Sequence, residues 1–155
     1  MRSPWLFIPP PLLFVASFIA GIALGRAAPL PLVPASAEPI LRGVGIALIA
    51  IAAALAVSAV ATFVYRRTTI IPHSDRARML VATGPFRMTR NPMYLGLATA
   101  YLGATLLANI VWPIAILAFP LWVMNARVIP HEEAMLSRSF GDAYRAYQQR
   151  VRRWI

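Results

Sequence analysis

The chain alternates between long uncharged stretches and shorter stretches rich in arginine. Residues 6–25 and 43–65 are uncharged runs of 20 and 23 residues. A helix needs about 20 apolar residues to cross a hydrocarbon core of about 30 Å, so each run predicts one transmembrane helix. Three consecutive prolines, Pro9 to Pro11, lie in the first run, so we expect that helix to begin irregularly or after them.

A third uncharged stretch, residues 91–126, has 36 residues. As one helix it would be about 54 Å long, which is too long for one crossing and slightly short for two. It predicts a helical hairpin that turns near Ala108 and Asn109, with Trp112 and Pro113 opening the return helix. We therefore expect an all-α integral membrane protein with about four transmembrane helices, the last two forming a short helical hairpin.

The composition agrees with a membrane protein. Apolar residues make up 59% of the chain and charged residues 13%, against about 45–50% and about 25% in soluble domains. The absence of cysteine excludes a disulfide-stapled secreted domain and a thiol nucleophile. None of the five acidic residues lies in a predicted span, which disfavours a proton-coupled transporter. With two histidines and no cysteine, no metal site is expected.

The net charge of +10 comes from 15 arginines against five acidic residues. Such an excess could serve nucleic acid, anionic lipid or an anionic ligand. Residues 66–90 hold six arginines and one acid (+5), residues 127–155 hold six and three (+3), and the loop 26–42 nets +1. Cytoplasmic loops collect arginine, so we expect three parts of the chain in the cytoplasm. They are the second loop (residues 66–90), the C-terminal tail (residues 127–155) and the N-terminus with Arg2. The charge thus indicates topology in a bacterial inner membrane and contact with lipid headgroups, without a nucleic-acid partner.

A first polar stretch precedes the third predicted helix. Pro92 favours a helix start, so Arg90 and Asn91 would lie at a helix N-terminus, where free N–H groups and the helix dipole attract an anion. Gly96 would let a ligand or another backbone approach closely. Each residue taken singly also fits a membrane boundary, with arginine at headgroups and Tyr94 in an aromatic belt.

A second polar stretch follows the last predicted span and contains two adjacent carboxylates, Glu132 and Glu133. Carboxylates just below a membrane are costly unless they are solvated, paired or bound to a ligand. Neighbouring helix positions point about 100° apart, so at most one is expected to face a given pocket while the other pairs with arginine. A role as acids in the first turn of a helix is the alternative.

The C-terminal tail shows helical spacing. Tyr144, Tyr147, Val151 and Trp154 recur every three or four residues, and arginines flank them. This pattern predicts a basic amphipathic cytoplasmic helix that lies on the inner leaflet.

Four motifs occur in a specific order: residues 84–87, residues 90–96, the Glu132–Glu133 pair and residues 140–147. Together they resemble the isoprenylcysteine carboxyl methyltransferase and phospholipid methyltransferase superfamily, whose members are integral membrane enzymes that use S-adenosylmethionine. The resemblance covers about residues 70–153. It implies a cofactor pocket on the cytosolic face formed by Gly84, Pro85, Arg90, Asn91, Pro92, Tyr94, Gly96, Glu132 and Glu133.

The resemblance also implies the chemistry. Arg90 and Glu133 are the catalytic candidates, because an arginine suits the cofactor carboxylate and a glutamate suits its ammonium or ribose hydroxyls. The superfamily more often has histidine where this chain has Asn91; asparagine can replace its hydrogen bonds but cannot titrate. The chain would then divide into a two-helix membrane segment (1–65) and a catalytic segment (66–155).

The expected activity is methyl transfer from S-adenosylmethionine to a lipophilic acceptor, an isoprenylcysteine-type carboxylate or similar. A phospholipid amine or a thiol is an alternative acceptor, and a non-catalytic membrane protein on the same scaffold is an alternative function. The expected partners are this lipophilic or lipidated substrate and membrane lipids.

Overall fold

The computed structural model describes residues 9–65 and 80–155. Arg2 and the arginines between residues 66 and 79 lie outside the described residues. Within them the chain forms helices and no strands. The helices are α1 (Pro10–Ala27), α2 (Glu38–Tyr65), α3 (Pro92–Ala108), α4 (Trp112–Val123) and α5 (Ile129–Arg150).

Short helical turns join these elements. Ala35–Ala37 and Gly84–Arg87 form 3₁₀ turns, and Met124–Val128 forms a π-helical turn that makes α4 and α5 continuous. Proline occupies the first turn of α1, α3, α4 and α5. That position suits proline because its φ is preset and its missing N–H would have no helical partner.

The prediction of an all-α protein with apolar helices long enough for a membrane is confirmed. In residues 9–65 and 80–155, three helical stretches are long and apolar enough to cross a membrane: Pro10–Ala27, Ala35–Tyr65 and Trp112–Arg150, whose charged part begins at Arg127. The helix α3 is apolar but shorter, with 17 residues. Large apolar side chains such as Ile19 and Val57 are exposed on the outside of the helices, as lipid contact requires.

The predicted hairpin turn is present at Asn109, which ends α3 in the left-handed conformation with φ 50°. Its side-chain oxygen accepts hydrogen bonds from the N–H groups of Leu32 and Val33 at 3.0 and 3.1 Å, and its amide nitrogen donates to the Val33 carbonyl at 3.1 Å. The Trp112 indole N–H donates to the Ala28 carbonyl at 2.7 Å. The loop after α1 is therefore bound to the α3–α4 turn.

The helices pack around α3, with α2 along one side and α1 with α4 on another. Glycine makes the closest approach possible: a Cβ atom at Gly103 would lie 2.7 Å from the Gly45 carbonyl oxygen. The α2 and α3 backbones are therefore in direct contact, as small residues permit in membranes. The predicted boundary between the segments 1–65 and 66–155 lies at the edge of the residues that the structure describes. The helices α2 and α3, which belong to different segments, pack directly on each other.

The C-terminal helix differs from its prediction in two ways. It ends at Arg150, so Val151 and Trp154 lie beyond it. Tyr144 and Tyr147 are 1% and 4% exposed, so the prediction that this face rests on the membrane surface is wrong for both tyrosines. The cause is a sharp kink at Gly141 (φ 52°, ψ −123°), which changes the direction of the helix.

Candidate functional site

A cavity of about 580 Å³ lies where α2, the start of α3 and α5 meet. Its volume is in the range of about 300–1,000 Å³ that is usual for small-molecule sites. One part of its wall is polar, with Arg90, Asn91, Tyr94, Glu132 and Glu133. The rest is apolar. The apolar lining includes Ile49, Ala52, Ala53, Ala56, Phe63, Met93, Leu97 and Ala100.

The fold brings seven of the nine predicted site residues to this cavity. They are Arg90, Asn91, Pro92, Tyr94, Gly96, Glu132 and Glu133. The other two, Gly84 and Pro85, are not among the lining residues and have structural roles. Gly84 has φ +61°, and a Cβ atom there would lie 2.7 Å from the Thr62 hydroxyl; Pro85 is buried in the same 3₁₀ turn. Their turn places Phe86 in the cavity wall.

The Arg90 guanidinium makes four hydrogen bonds within the protein. Its Nε and Nη2 atoms donate to Oε1 of Glu133 at 3.3 and 2.8 Å. Its Nη1 atom donates to the carbonyls of Gln148 and Val151 at 3.2 and 2.7 Å. A guanidinium has five N–H groups, so at most one remains for a ligand. Arg90 therefore joins Glu133 to the end of α5 and the residue after it.

Glu133 lies between two arginines. Arg153 donates from Nη2 to Oε2 at 2.6 Å and from Nε to Oε1, the oxygen that Arg90 also contacts, at 3.3 Å. The Glu133 side chain is 13% exposed and lies in the charged part of the chain after Arg127. Burial acts to raise the pKa of Glu133, but the hydrogen bonds and charges of Arg153 and Arg90 outweigh it and lower the pKa. Glu133 is therefore held as an anion in one orientation.

Glu132 takes a different partner. The Tyr94 hydroxyl on α3 donates a 2.5 Å hydrogen bond to Oε1 of Glu132 on α5. The expectation of an arginine pairing thus holds for Glu133, whereas the expectation that only one carboxylate would border the cavity is wrong. The kinked α5 and the nearby α3 place both carboxylates in the same wall.

The family model described as phospholipid methyltransferase matches residues 41–143, about two thirds of the chain, from α2 to just beyond the kink in α5. The chain belongs to the phospholipid methyltransferase family. The suspected kinship with membrane methyltransferases is confirmed, and membership implies methyltransferase activity in an integral membrane protein.

A protein from Haemophilus influenzae is similar to part of this chain. It is described as uncharacterized and is 44% identical over 64 residues, which are 41% of this chain and the whole of that protein. No solved structure matches the chain.

The departure at Asn91 can be understood from its contacts. Its side-chain amide donates to the Arg153 carbonyl at 2.9 Å, and its backbone N–H donates to the Thr89 hydroxyl at 3.1 Å. The side chain makes no helix-capping bond. A hydrogen-bond donor is what this contact needs, and both asparagine and histidine can provide one. The substitution is therefore compatible with the phospholipid methyltransferase fold.

Sequence reasoning missed three residues that build this site. The helical spacing of the tail predicts lipid headgroups as the partners of Arg153, and it predicts nothing for Thr89. Thr89 is 1% exposed and donates to the Arg153 carbonyl at 2.9 Å. The Tyr147 hydroxyl donates to the Phe86 carbonyl at 2.7 Å, which fixes the second half of α5 against the 3₁₀ turn. No pattern in the sequence indicates these contacts, because each joins residues about 60 positions apart.

Proposed function

We propose that the protein transfers a methyl group from S-adenosylmethionine to a lipophilic acceptor at the cytosolic membrane interface. The observation that carries the proposal is the two-part cavity, in which the Tyr94–Glu132 and Arg90–Glu133–Arg153 groups adjoin an apolar space between α2 and α3. One part suits a polar cofactor and the other suits a hydrocarbon chain. Family membership supports methyl transfer as the reaction.

The cavity residues fit the cofactor by their chemistry. The carboxylates of Glu132 and Glu133 suit the cofactor ammonium and the ribose hydroxyls. Phe86, Phe140 and Tyr144 line the same cavity and suit the adenine ring. When bound, the cofactor supplies an electrophilic methyl group on a sulfonium. The part of this chain is to orient the two reactants and exclude water, which are the main sources of rate in such a displacement.

The apolar part supports a lipophilic acceptor. Ile49, Ala53 and Ala56 line the cavity and are exposed on α2, a helix that we place in the membrane. The helices α1 and α2 make little contact with each other, which supports a lateral opening to the cavity beside the exposed side of α2. A hydrocarbon chain can therefore reach the cavity from the side.

Two acceptor headgroups deserve separate tests. An isoprenylcysteine-type carboxylate needs no general base. A phospholipid amine must first lose a proton, which a cavity carboxylate could accept. The family description, phospholipid methyltransferase, is the reason to test a phospholipid amine beside the carboxylate. Supplying each lipid separately to the purified protein and identifying the methylated product distinguishes them.

We further propose that four helices cross the membrane. A 17-residue α3 spans about 26 Å, close to the thickness of a hydrocarbon core. In the orientation that the arginine count supports, the cavity mouth, the second loop and the tail would lie in the cytoplasm of a bacterial cell. This orientation would put the cavity where the cofactor is made.

The test uses full-length protein in lipid nanodiscs with methyl-labelled S-adenosylmethionine. We expect saturable cofactor binding, and transfer of label to a lipid fraction. Glu132→Gln and Glu133→Gln should each weaken cofactor binding at least tenfold, corresponding to about 1.4 kcal/mol or more. Asp142→Asn is the matched control, since this α5 carboxylate is 95% exposed.

Three results would contradict the proposal. Absence of cofactor binding by the wild-type protein would refute the methyl-donor assignment. Binding without turnover on any lipid would favour a non-catalytic membrane protein. Equal affinity for both Glu→Gln variants and Asp142→Asn would show that the two cavity carboxylates do not contact the cofactor.

A further inference from the structure

The last residues of the chain form a strap across the segment that opens α3. We use "C-terminal strap" for residues 151–154, which follow the end of α5. The Thr89 hydroxyl and the Asn91 amide both donate to the Arg153 carbonyl at 2.9 Å, and the Arg90 backbone N–H donates to the Arg152 carbonyl at 2.9 Å. Three consecutive residues before α3 are thus bound to two consecutive carbonyls of the strap.

The Arg153 side chain extends from this strap to two parts of the helix that precedes it. Its Nη1 atom donates to Oδ1 of Asn125 in the π-helical turn at 3.1 Å. Its Nη2 and Nε atoms donate to the two carboxylate oxygens of Glu133, at 2.6 Å to Oε2 and 3.3 Å to Oε1. Arg153 does not line the cavity, whereas Glu133 does. Of the side-chain contacts that Arg153 makes, the one with Glu133 reaches the cavity wall, so a substitution of this side chain should act on a bound ligand through Glu133.

The two arginines that hold Glu133 have different geometries. Arg90 contacts only Oε1 through its side chain, so a carboxylate held by Arg90 alone could rotate about that oxygen. Arg153 contacts both oxygens, and bidentate contacts between a guanidinium and a carboxylate fix the carboxylate plane. Lysine offers a compact ammonium without this planar fork, so it cannot reproduce the contact.

We propose that Arg153 is a positioning residue for the methyl-donor site: it fixes the orientation of the Glu133 carboxylate in the cavity wall. The inference rests on the proposed function, and adds a residue that lies outside the cavity and beyond residues 41–143, the range of the family match. A rotated Glu133 would keep its charge but lose its alignment with the donor. The effect should fall on donor binding and spare acceptor binding, which we assign to the apolar wall.

The experiment measures the donor dissociation constant of full-length protein in nanodiscs by calorimetry with S-adenosylmethionine. We expect Arg153→Gln to raise this constant at least tenfold while the acceptor KM changes less than twofold. Arg153→Lys should be intermediate. Arg152→Gln is the matched control, because Arg152 is the adjacent strap residue and has an exposed side chain. It should bind the donor as the wild type does.

Chemical rescue separates positioning from general support of the fold. Millimolar guanidinium should restore part of the donor affinity of Arg153→Ala, since the free ion can occupy the vacated space beside Glu133. It should have no effect on Arg152→Gln. A variant that merely folds poorly would lose donor affinity, acceptor affinity and thermal stability together and would not be rescued.

Several outcomes would overturn the inference. One is an equal donor dissociation constant for Arg153→Gln and Arg152→Gln; another is a uniform loss without guanidinium rescue. If Arg153→Gln does not fold, Arg153→Lys decides, and a wild-type constant for it refutes the need for a bidentate contact. Failure of the wild-type protein to bind the donor would refute the proposed function and this inference with it. Normal wild-type binding with an unaffected Arg153→Gln refutes this inference alone.

Discussion

The contact between α2 and α3 allows a stability prediction that uses a single added methyl group. In the Gly103→Ala variant, the new Cβ atom would lie 2.7 Å from the Gly45 carbonyl oxygen, 2.8 Å from Cγ1 of Ile49 and 3.1 Å from the Ile49 backbone nitrogen. Two of these three atoms belong to the α2 backbone. A rotamer change in Ile49 therefore cannot relieve the clash, and the helices must move apart.

The magnitude follows from two opposing effects. Overpacking a filled interface costs typically about 1–3 kcal/mol. Replacing glycine by alanine inside a helix stabilises it by up to about 1 kcal/mol. Because two of the clashing atoms are backbone atoms, we take the upper part of the overpacking range, about 2–3 kcal/mol. Subtracting about 1 kcal/mol leaves a net loss of about 1–2 kcal/mol in the free energy of unfolding for Gly103→Ala, a fall of roughly 2–8 °C in Tm for a chain of this size.

The assay is thermal unfolding in one detergent, followed by circular dichroism and by the fraction that remains monodisperse. Gly43→Ala is the matched control, because Gly43 lies in α2, the partner helix in this contact, and no atom of another element lies within 4 Å of a Cβ atom there. We expect Gly43→Ala to be as stable as the wild type or more so. Equal Tm values for Gly103→Ala and Gly43→Ala would refute direct backbone contact between α2 and α3.

Two further predictions concern the hairpin turn and the buried carboxylate. Asn109→Ala removes three hydrogen bonds to the loop after α1 and places alanine at φ 50°. We therefore expect the free energy of unfolding to fall by about 1–3 kcal/mol and the amides of Leu32 and Val33 to exchange faster. Unchanged exchange would contradict the binding of this loop to the α3–α4 turn. The lowered pKa of Glu133 means that its contribution to stability is present above its ordinary value of 4.5 and is lost as pH falls through the lower folded-state pKa. Comparing wild type with Glu133→Gln across acid titrations measures it, and parallel curves would contradict the two-arginine contact.

Much of the candidate site was predictable because its motifs are short and local. Arg90, Asn91, Tyr94 and Gly96 lie within two turns of the start of α3, and the helix itself brings them to one region. That this region lies beside Glu132 on α5 was predicted from the resemblance to known methyltransferases. Spacing alone could not predict it, because the two motifs are about 40 residues apart in the sequence.

The role of each charged residue was harder to predict. Arg90 was expected to meet an anionic group of the cofactor, yet four of its hydrogen bonds go to Glu133 and to two backbone carbonyls. Sequence reasoning can count arginines and place them on one side of a membrane. It cannot tell which arginine meets a carboxylate and which meets lipid, because that depends on distances between remote segments.

The sequence alone determined the features that depend on neighbouring residues. Uncharged runs determined the membrane helices, prolines determined where α1, α3 and α4 begin, and Asn109 determined the turn between α3 and α4. Each depends on local backbone preference or on the cost of burying charge in lipid, and both act within a few turns of a helix.

Only the tertiary structure decided which polar groups meet. The kink at Gly141 lets the chain return towards the start of α5, so that the strap lies on residues 89–91 and Arg153 contacts Glu133. The same return buries Tyr144 and Tyr147, whose spacing alone indicated a membrane surface. Burying paired charges stabilises the protein only when their partners are correctly placed, and that placement is a property of the whole fold.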